Sequence, residues 1–273
     1  MTRVRSSSPS AIELATPRND RGMQDLLAAL DSNPARSAAE ALTKEQRTIV
    51  VCTGFPAGGR PETDGPPGAF ALIDALRSMK KDVKLASWQD ALDIFGRIRA
   101  DVQSIAVPTG VTGRADGPPC ALVTIEACGV CADGIYRNMH GIDISCWAPR
   151  FEDVFGSSSL VSVGDGGNEF GMGSAPKWFF AQKDILQPSS CSENLVPASV
   201  SNYGAYAIIR ELEGLCNQTL LPTSEEHIAL ITALVEAGCV DGYTGEQTLS
   251  IDGEDLGKTR DVLDGIRGAS TYR

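Results

Sequence analysis

Ser159-Leu160-Val161-Ser162-Val163 runs into Gly164-Asp165-Gly166-Gly167-Asn168-Glu169-Phe170-Gly171-Met172-Gly173, and the reading of this stretch decides the fold. The first five residues are apolar and β-branched enough to predict a buried strand that stops at the first glycine. Five glycines in ten positions bring no side chains to a core and lose the most backbone freedom on folding, so they serve backbone shape. A glycine-rich turn at the carboxyl end of a strand lets main-chain N–H groups converge on an anionic group. Asp165, Asn168 and Glu169 add polar side chains, which favours a ligand site over a decorated tight turn.

The same strand, polar loop, helix order recurs on both sides of this stretch. Upstream, Met23 to Leu30 and Ala35 to Leu42 predict a helical hairpin broken at Asn33-Pro34, and Arg47 to Thr53 predicts a strand. A loop from Gly54 to Pro67 then leads to a helix over Ala69 to Leu76. Val83 to Ala86, Val102 to Val107 and Cys120 to Ile125 predict further strands, with a helix over Trp88 to Arg99 and Glu126 at a strand end. Downstream, Trp147 to Phe155 predicts a helix, and so does the stretch around Lys177. Leu195 to Val200 predicts a strand ending at Ser201-Asn202-Tyr203-Gly204, followed by helices over Ala205 to Leu215 and Ser224 to Ala237. Alternation of this kind predicts an α/β, Rossmann-like layered fold with a mostly parallel central sheet and helices on both faces. We expect a flexible leader over residues 1–22 and one α/β domain over residues 23–273, without internal repeats.

The chain has 273 residues, 22% charged and 42% hydrophobic, which suits a globular protein with an ample core. A net charge of -11 argues against a general nucleic-acid or anionic-membrane surface, and no apolar run approaches the roughly 20 residues that cross a bilayer. Eight cysteines spread through apolar segments read as reduced, mostly buried thiols. Cys128-Gly-Val-Cys131 has no second pair and only His140 and His227 for company, a poor basis for a zinc site. The expected compartment is the cytoplasm, with the mitochondrial matrix as the alternative, because residues 1–19 hold Arg3, Arg5 and Arg18 against one acid, Glu13.

Candidate ligand groups collect at the junctions. Glu62 and Asp64 precede Pro66-Pro67, and proline in a first helical turn costs no internal hydrogen bond while the helix N-terminus favours anions. Either acid is also explained as a partner of the helix dipole. Between Gly129 and Ser145, Tyr136, Asn138, His140 and Asp143 either knit a loop or offer donors and acceptors to a small polar substrate.

Taken together, Thr53-Gly-Phe-Pro56, Glu62 to Ala69, Ile125-Glu126 with Gly129, Asp133-Gly134 with Tyr136 and Asn138, Gly164 to Gly173, and Val200-Ser-Asn202 with Gly204 and Tyr206 resemble the D-glutamate cyclase family. The resemblance is to the carboxyl-terminal domain of its larger mitochondrial members, which carry a further hydro-lyase-like domain. It implies cyclisation of a small-molecule amino-acid substrate, D-glutamate, to 5-oxo-D-proline with loss of water. Such a reaction needs a base for the ammonium group and a way to neutralise a carboxylate that is a poor electrophile. We therefore expect Asp165, Glu169 and Glu126 as catalytic residues. Glu62, Asp64, Gly166, Gly167, Asn168, Asn138, Tyr136 and Asn202 are expected to bind substrate, the loop amides and Asn side chains stabilising an oxyanion. No cofactor is required by the sequence; a divalent cation, magnesium or manganese, held by Asp165 and Glu169, is the candidate. Alternatives are a non-catalytic small-acid binding module working with a hydro-lyase-like partner or as a homo-oligomer, and a metal-dependent hydrolase of a phosphate-bearing ligand.

Overall fold

The computed structural model describes residues 8–30, 32–110, 119–183 and 185–271. In chain order the elements are α1 (Ala11–Leu14), α2 (Met23–Ala28), α3 (Pro34–Lys44), β1 (Ile49–Thr53), a hairpin of β2 (Pro56–Ala57) and β3 (Arg60–Pro61), α4 (Pro66–Ser78), β4 (Val83–Ser87), α5 (Gln89–Ile98) and β5 (Ser104–Ala106). There follow β6 (Ala121–Ile125), α6 (Phe151–Phe155), β7 (Ser158–Gly164), α7 (Lys177–Ala181), β8 (Cys191–Pro197), α8 (Ser201–Cys216), α9 (Ser224–Ala237), a hairpin of β9 (Ser250–Ile251) and β10 (Glu254–Asp255), and α10 (Leu256–Gly268).

The central sheet has six strands in the order β5-β4-β1-β6-β7-β8, and every neighbouring pair is parallel. β1 and β6 are buried at every position, as strands covered on both faces must be. Ile49, Val51, Val123, Ile125, Val161 and Val163 point into a core shared with α3, α4 and α8. The other face is covered by Phe151 of α6 and Phe170, which pack on Val50, Cys52 and Leu122. Leu195 of β8 packs there with Met23 and Phe179, from α2 and α7.

The chain moves outward from β1 through β4 to β5, then returns to lay β6 against β1 and moves outward the other way. The switch point therefore lies between the carboxyl ends of β1 and β6, where open α/β sheets bind ligands.

Three departures from the sequence reading bear on the site. Residues 1–7 of the expected leader lie outside the described residues, but residues 8–22 pack against the body. Ser10 and Glu13 close a capping box on α1, and Ala11, Ile12 and Ala15 are buried. β8 ends at Pro197, short of the expected Val200, and α8 begins at Ser201 instead of Ala205. Its polar first turn reads as a loop because Val200, at the capping position, provides no cap; the cap comes from Asp64, far away in sequence. The helix expected over Trp147 to Phe155 is confined to Phe151–Phe155, since Pro149 interrupts the pattern. Among the described residues no helix is long and apolar enough to cross a membrane.

Candidate active site

Two helix starts lock together at the floor of the site. The Asp64 carboxylate accepts from the N–H groups of Gly65, Ser201 and Asn202, each at 2.8 Å, so a residue ahead of α4 caps α8. In return the Asn202 side-chain oxygen accepts from the N–H of Gly65 (3.1 Å) and of Gly68 (2.7 Å), and its amide donates to the Thr63 carbonyl. The approach is close enough that a Cβ on Gly68 would lie 2.9 Å from that of Ala205.

Beside this floor Glu126 follows β6 in the left-handed backbone region, at φ 46°. A non-glycine residue pays roughly 1–2 kcal/mol for that conformation. It turns the buried carboxylate to Ser201, whose hydroxyl donates to it at 2.6 Å. Asp165 follows β7 and forms an ion pair with Arg21 at 2.9 Å through one oxygen; its other oxygen is buried with no hydrogen-bond partner among the described residues. Arg21 also reaches Asp252 at 2.6 Å, and Arg18 pairs with Asp252 (3.0 Å) and Glu254 (3.2 Å).

Of these residues Arg21, Asp64, Glu126, Asp165 and Asp252 line a cavity of about 270 Å³, whose wall carries six carboxylates, from Glu62, Asp64, Glu126, Asp165, Glu169 and Asp252, against Arg21 and the exposed His140. Burial comes first among the effects on their protonation. Burial raises Asp64 to about 7, with help from Asp252 and against the pull of its three N–H donors. Glu62, Glu126 and Asp165 are pushed well above the usual carboxylate range by burial and by neighbouring acids, while Arg21 opposes the rise at Asp165. One oxygen each from Asp64, Glu126 and Asp165 lie within 4.8 Å of one another.

The sequence candidates are distributed unevenly around this cavity. Glu62, Asp64, Glu126, Asn138, Asp165, Gly166, Asn168 and Glu169 line it. Tyr136 does not, since its buried hydroxyl donates to Glu152 at 2.6 Å beneath the loop. Asn202 works as the helix cap described above. The loop amides expected to meet an oxyanion are already bound. Glu169 folds back so that its carboxylate accepts from the N–H groups of Asp165 (3.1 Å), Gly166 and Gly167 (2.7 Å). That use of Glu169 also separates it from the expected metal pair, and the grouping with Asp165 falls to Asp64 and Glu126 instead. The lysine near the loop is Lys183, donating to the Gly166 carbonyl at 2.7 Å, while Lys177 starts α7. Burial lowers Lys183 to about 8.

Arg21, Ser201 and Asp252 were missed by sequence reasoning. Asp252 had a readable sign, an Asp-Gly turn, but nothing near Arg21 announces a partner at residue 165. The CxxC thiols are buried and unbridged, Cys128 raised well above its ordinary value by burial.

Acids gathered at the switch point of an open parallel sheet define the class, an α/β protein with an acid-lined cavity. Residues 14–267 match the family described as D-glutamate cyclase-like, C-terminal, and the chain belongs to that family. Among curated proteins, the human D-glutamate cyclase, mitochondrial, is 32% identical over 196 residues. The match covers 59% of this chain and 32% of the human protein, about a third of that relative's length.

Proposed function

We propose that this chain is a lyase that closes D-glutamate to 5-oxo-D-proline with loss of water. The observation that carries the reading is the convergence of buried carboxylates from separate strand ends on one cavity beside Arg21. The family membership and the name of the human relative support it.

Amine and carboxyl carbon already belong to one molecule, so the cavity's task is to hold the folded conformer. Arg21 offers a guanidinium to one substrate carboxylate, and the Asn138 amide N–H groups, held in place because the Asn138 oxygen accepts from the His140 and Ile142 N–H groups, donate to the other. Glu62, buried in the cavity wall, takes in its ionised form the proton that frees the amine. The γ carbon gains the nitrogen and loses an oxygen, which leaves as water carrying the two protons that the ammonium has given up. Protonated buried acids at Glu126 and Asp165 deliver the proton to that oxygen.

The donor set also fits a divalent cation, because one Asp165 oxygen is buried without a hydrogen-bond partner among the described residues, in an acid-rich wall, and all three groups are hard oxygen donors. Asp64, Glu126 and Asp165 would hold a magnesium or manganese ion, which when bound would supply Lewis-acid neutralisation of the reacting carboxylate. The compartment we infer is the cytoplasm or the mitochondrial matrix, both reducing, in keeping with eight free cysteines.

The test is the purified chain incubated with D-glutamate, with and without magnesium or manganese, with 5-oxoproline measured by chromatography. Product formation supports the enzyme. Saturable binding with product only after a hydro-lyase-like protein is added would replace it with a binding role.

A further inference from the structure

Next to the acidic cavity lies a second hollow of about 180 Å³, lined by Arg137, Asn138, Gly141, Asn168, Ile185 and Leu186. Asn138 and Asn168 belong to the walls of both, so the two hollows adjoin at these residues. Their chemistry is opposite. Among the described residues the side hollow has no carboxylate in its wall, and the one charge there is balanced, because Arg137 is paired with Asp133 at 2.7 Å and 3.0 Å. Ile185 and Leu186 give it an apolar side, and Leu186 stays 54% exposed at this edge, unlike a side chain with a packing role of its own.

Loss of water from free glutamate makes no use of such a hollow. A larger leaving group would. We infer that the site also accepts γ-glutamyl amides, with the cyclising glutamyl unit in the acidic cavity and an uncharged, apolar-bodied amine leaving into the hollow beside Leu186. Charge favours this class independently. Masking the γ-carboxylate as an amide removes one negative charge from a ligand that must meet a wall of six acids, several of them protonated, and one arginine. It also gives the nitrogen a carbonyl carbon without a carboxylate's negative charge to attack. In the step, the C–N bond of the lactam forms and the C–N bond to the amine breaks. Of the two protons released by the ammonium, one goes to the departing nitrogen and the other to a cavity carboxylate and on to water, with no oxidant or reductant involved.

The inference rests on the cyclase reading, and the experiment separates the two. The full chain is given D-glutamate in one arm and γ-D-glutamyl-p-nitroanilide in the other, reading 5-oxoproline in both and nitroaniline absorbance in the second. Release of nitroaniline with matching 5-oxoproline is expected. Leu186→Trp, which fills the hollow from its exposed edge, is expected to slow the anilide about 10-fold or more while leaving D-glutamate turnover unchanged. Turnover of D-glutamate with no release from the anilide, or an equal slowing of both by Leu186→Trp, overturns the inference and spares the cyclase reading. Release from the anilide with no turnover of D-glutamate upholds the γ-amide class and overturns the free-acid reading. No product in either arm overturns both.

Discussion

Glu126 holds a left-handed backbone conformation that glycine would adopt more cheaply, and it spends that strain on aiming a carboxylate at Ser201 and the cavity. Glu126→Gln keeps the shape and removes the proton-carrying group, so turnover of D-glutamate should fall at least ~100-fold with little change in thermal midpoint. Asp165→Asn should likewise abolish turnover in a folded protein, and unchanged kcat would remove Asp165 from the mechanism. Tyr136→Phe is expected to behave differently. It strips Glu152 of a hydroxyl donor in a buried setting and should cost about 1–3 kcal/mol in denaturant unfolding, with KM unmoved. A raised KM would return Tyr136 to the substrate. Asp165 and Glu126 were legible because apolar runs end beside them, and Glu62 and Asp64 because they sit ahead of the Pro66-Pro67 helix start. Their partners were not: Arg21 sits in a polar stretch whose only local feature is Gly22, and its position depends on packing of α1 and α2 against distant elements. Tyr136 and Asn202 have the right chemistry for ligands, but a single sequence does not say which way a polar side chain faces.

Among the elements, α4 and α8 depend on each other for their first turns. Asn202→Ala would leave the Gly68 N–H and the Thr63 carbonyl without their partner in a buried place and the Gly65 N–H with Asp64 alone, and we expect about 2 kcal/mol of lost stability. A lowered urea midpoint with unchanged slope checks it. Long, strongly patterned elements such as α4, α9 and β1 were readable because their burial pattern is written in local residues. The start of α8 was unreadable for the reason just given: its cap is the side chain of Asp64, 137 residues earlier. The terminal stretch from residue 242 held β9, β10 and α10, and the expectation assigned it no element.

For the molecule as a whole, two buried groups bend the dependence of stability on pH in opposite directions. Burial lowers His227 to about 4, and Tyr206 meets its Nδ1 at 2.7 Å. The unfolded chain takes up that proton near the ordinary value and the folded chain does not. Stability from this group is therefore full above about 6.5 and lost as pH falls towards 4, a span of about 3 kcal/mol. Unfolding curves of wild type and His227→Gln should converge across that window as the pH falls. Asp64, raised to about 7, contributes the reverse, holding a proton that the unfolded chain has already released. Added manganese or magnesium should raise the melting temperature, and the gain should vanish in Asp165→Asn.

The carboxylate of Glu169 on the Gly166 and Gly167 amides has a consequence for inhibitors. An oxyanion seeking that cradle would first have to evict a tethered tenant whose effective concentration no buffer salt can match. Phosphate and sulfate should therefore be poor competitors against this chain, and a phosphate ester an unpromising substrate, however much the glycines invite one.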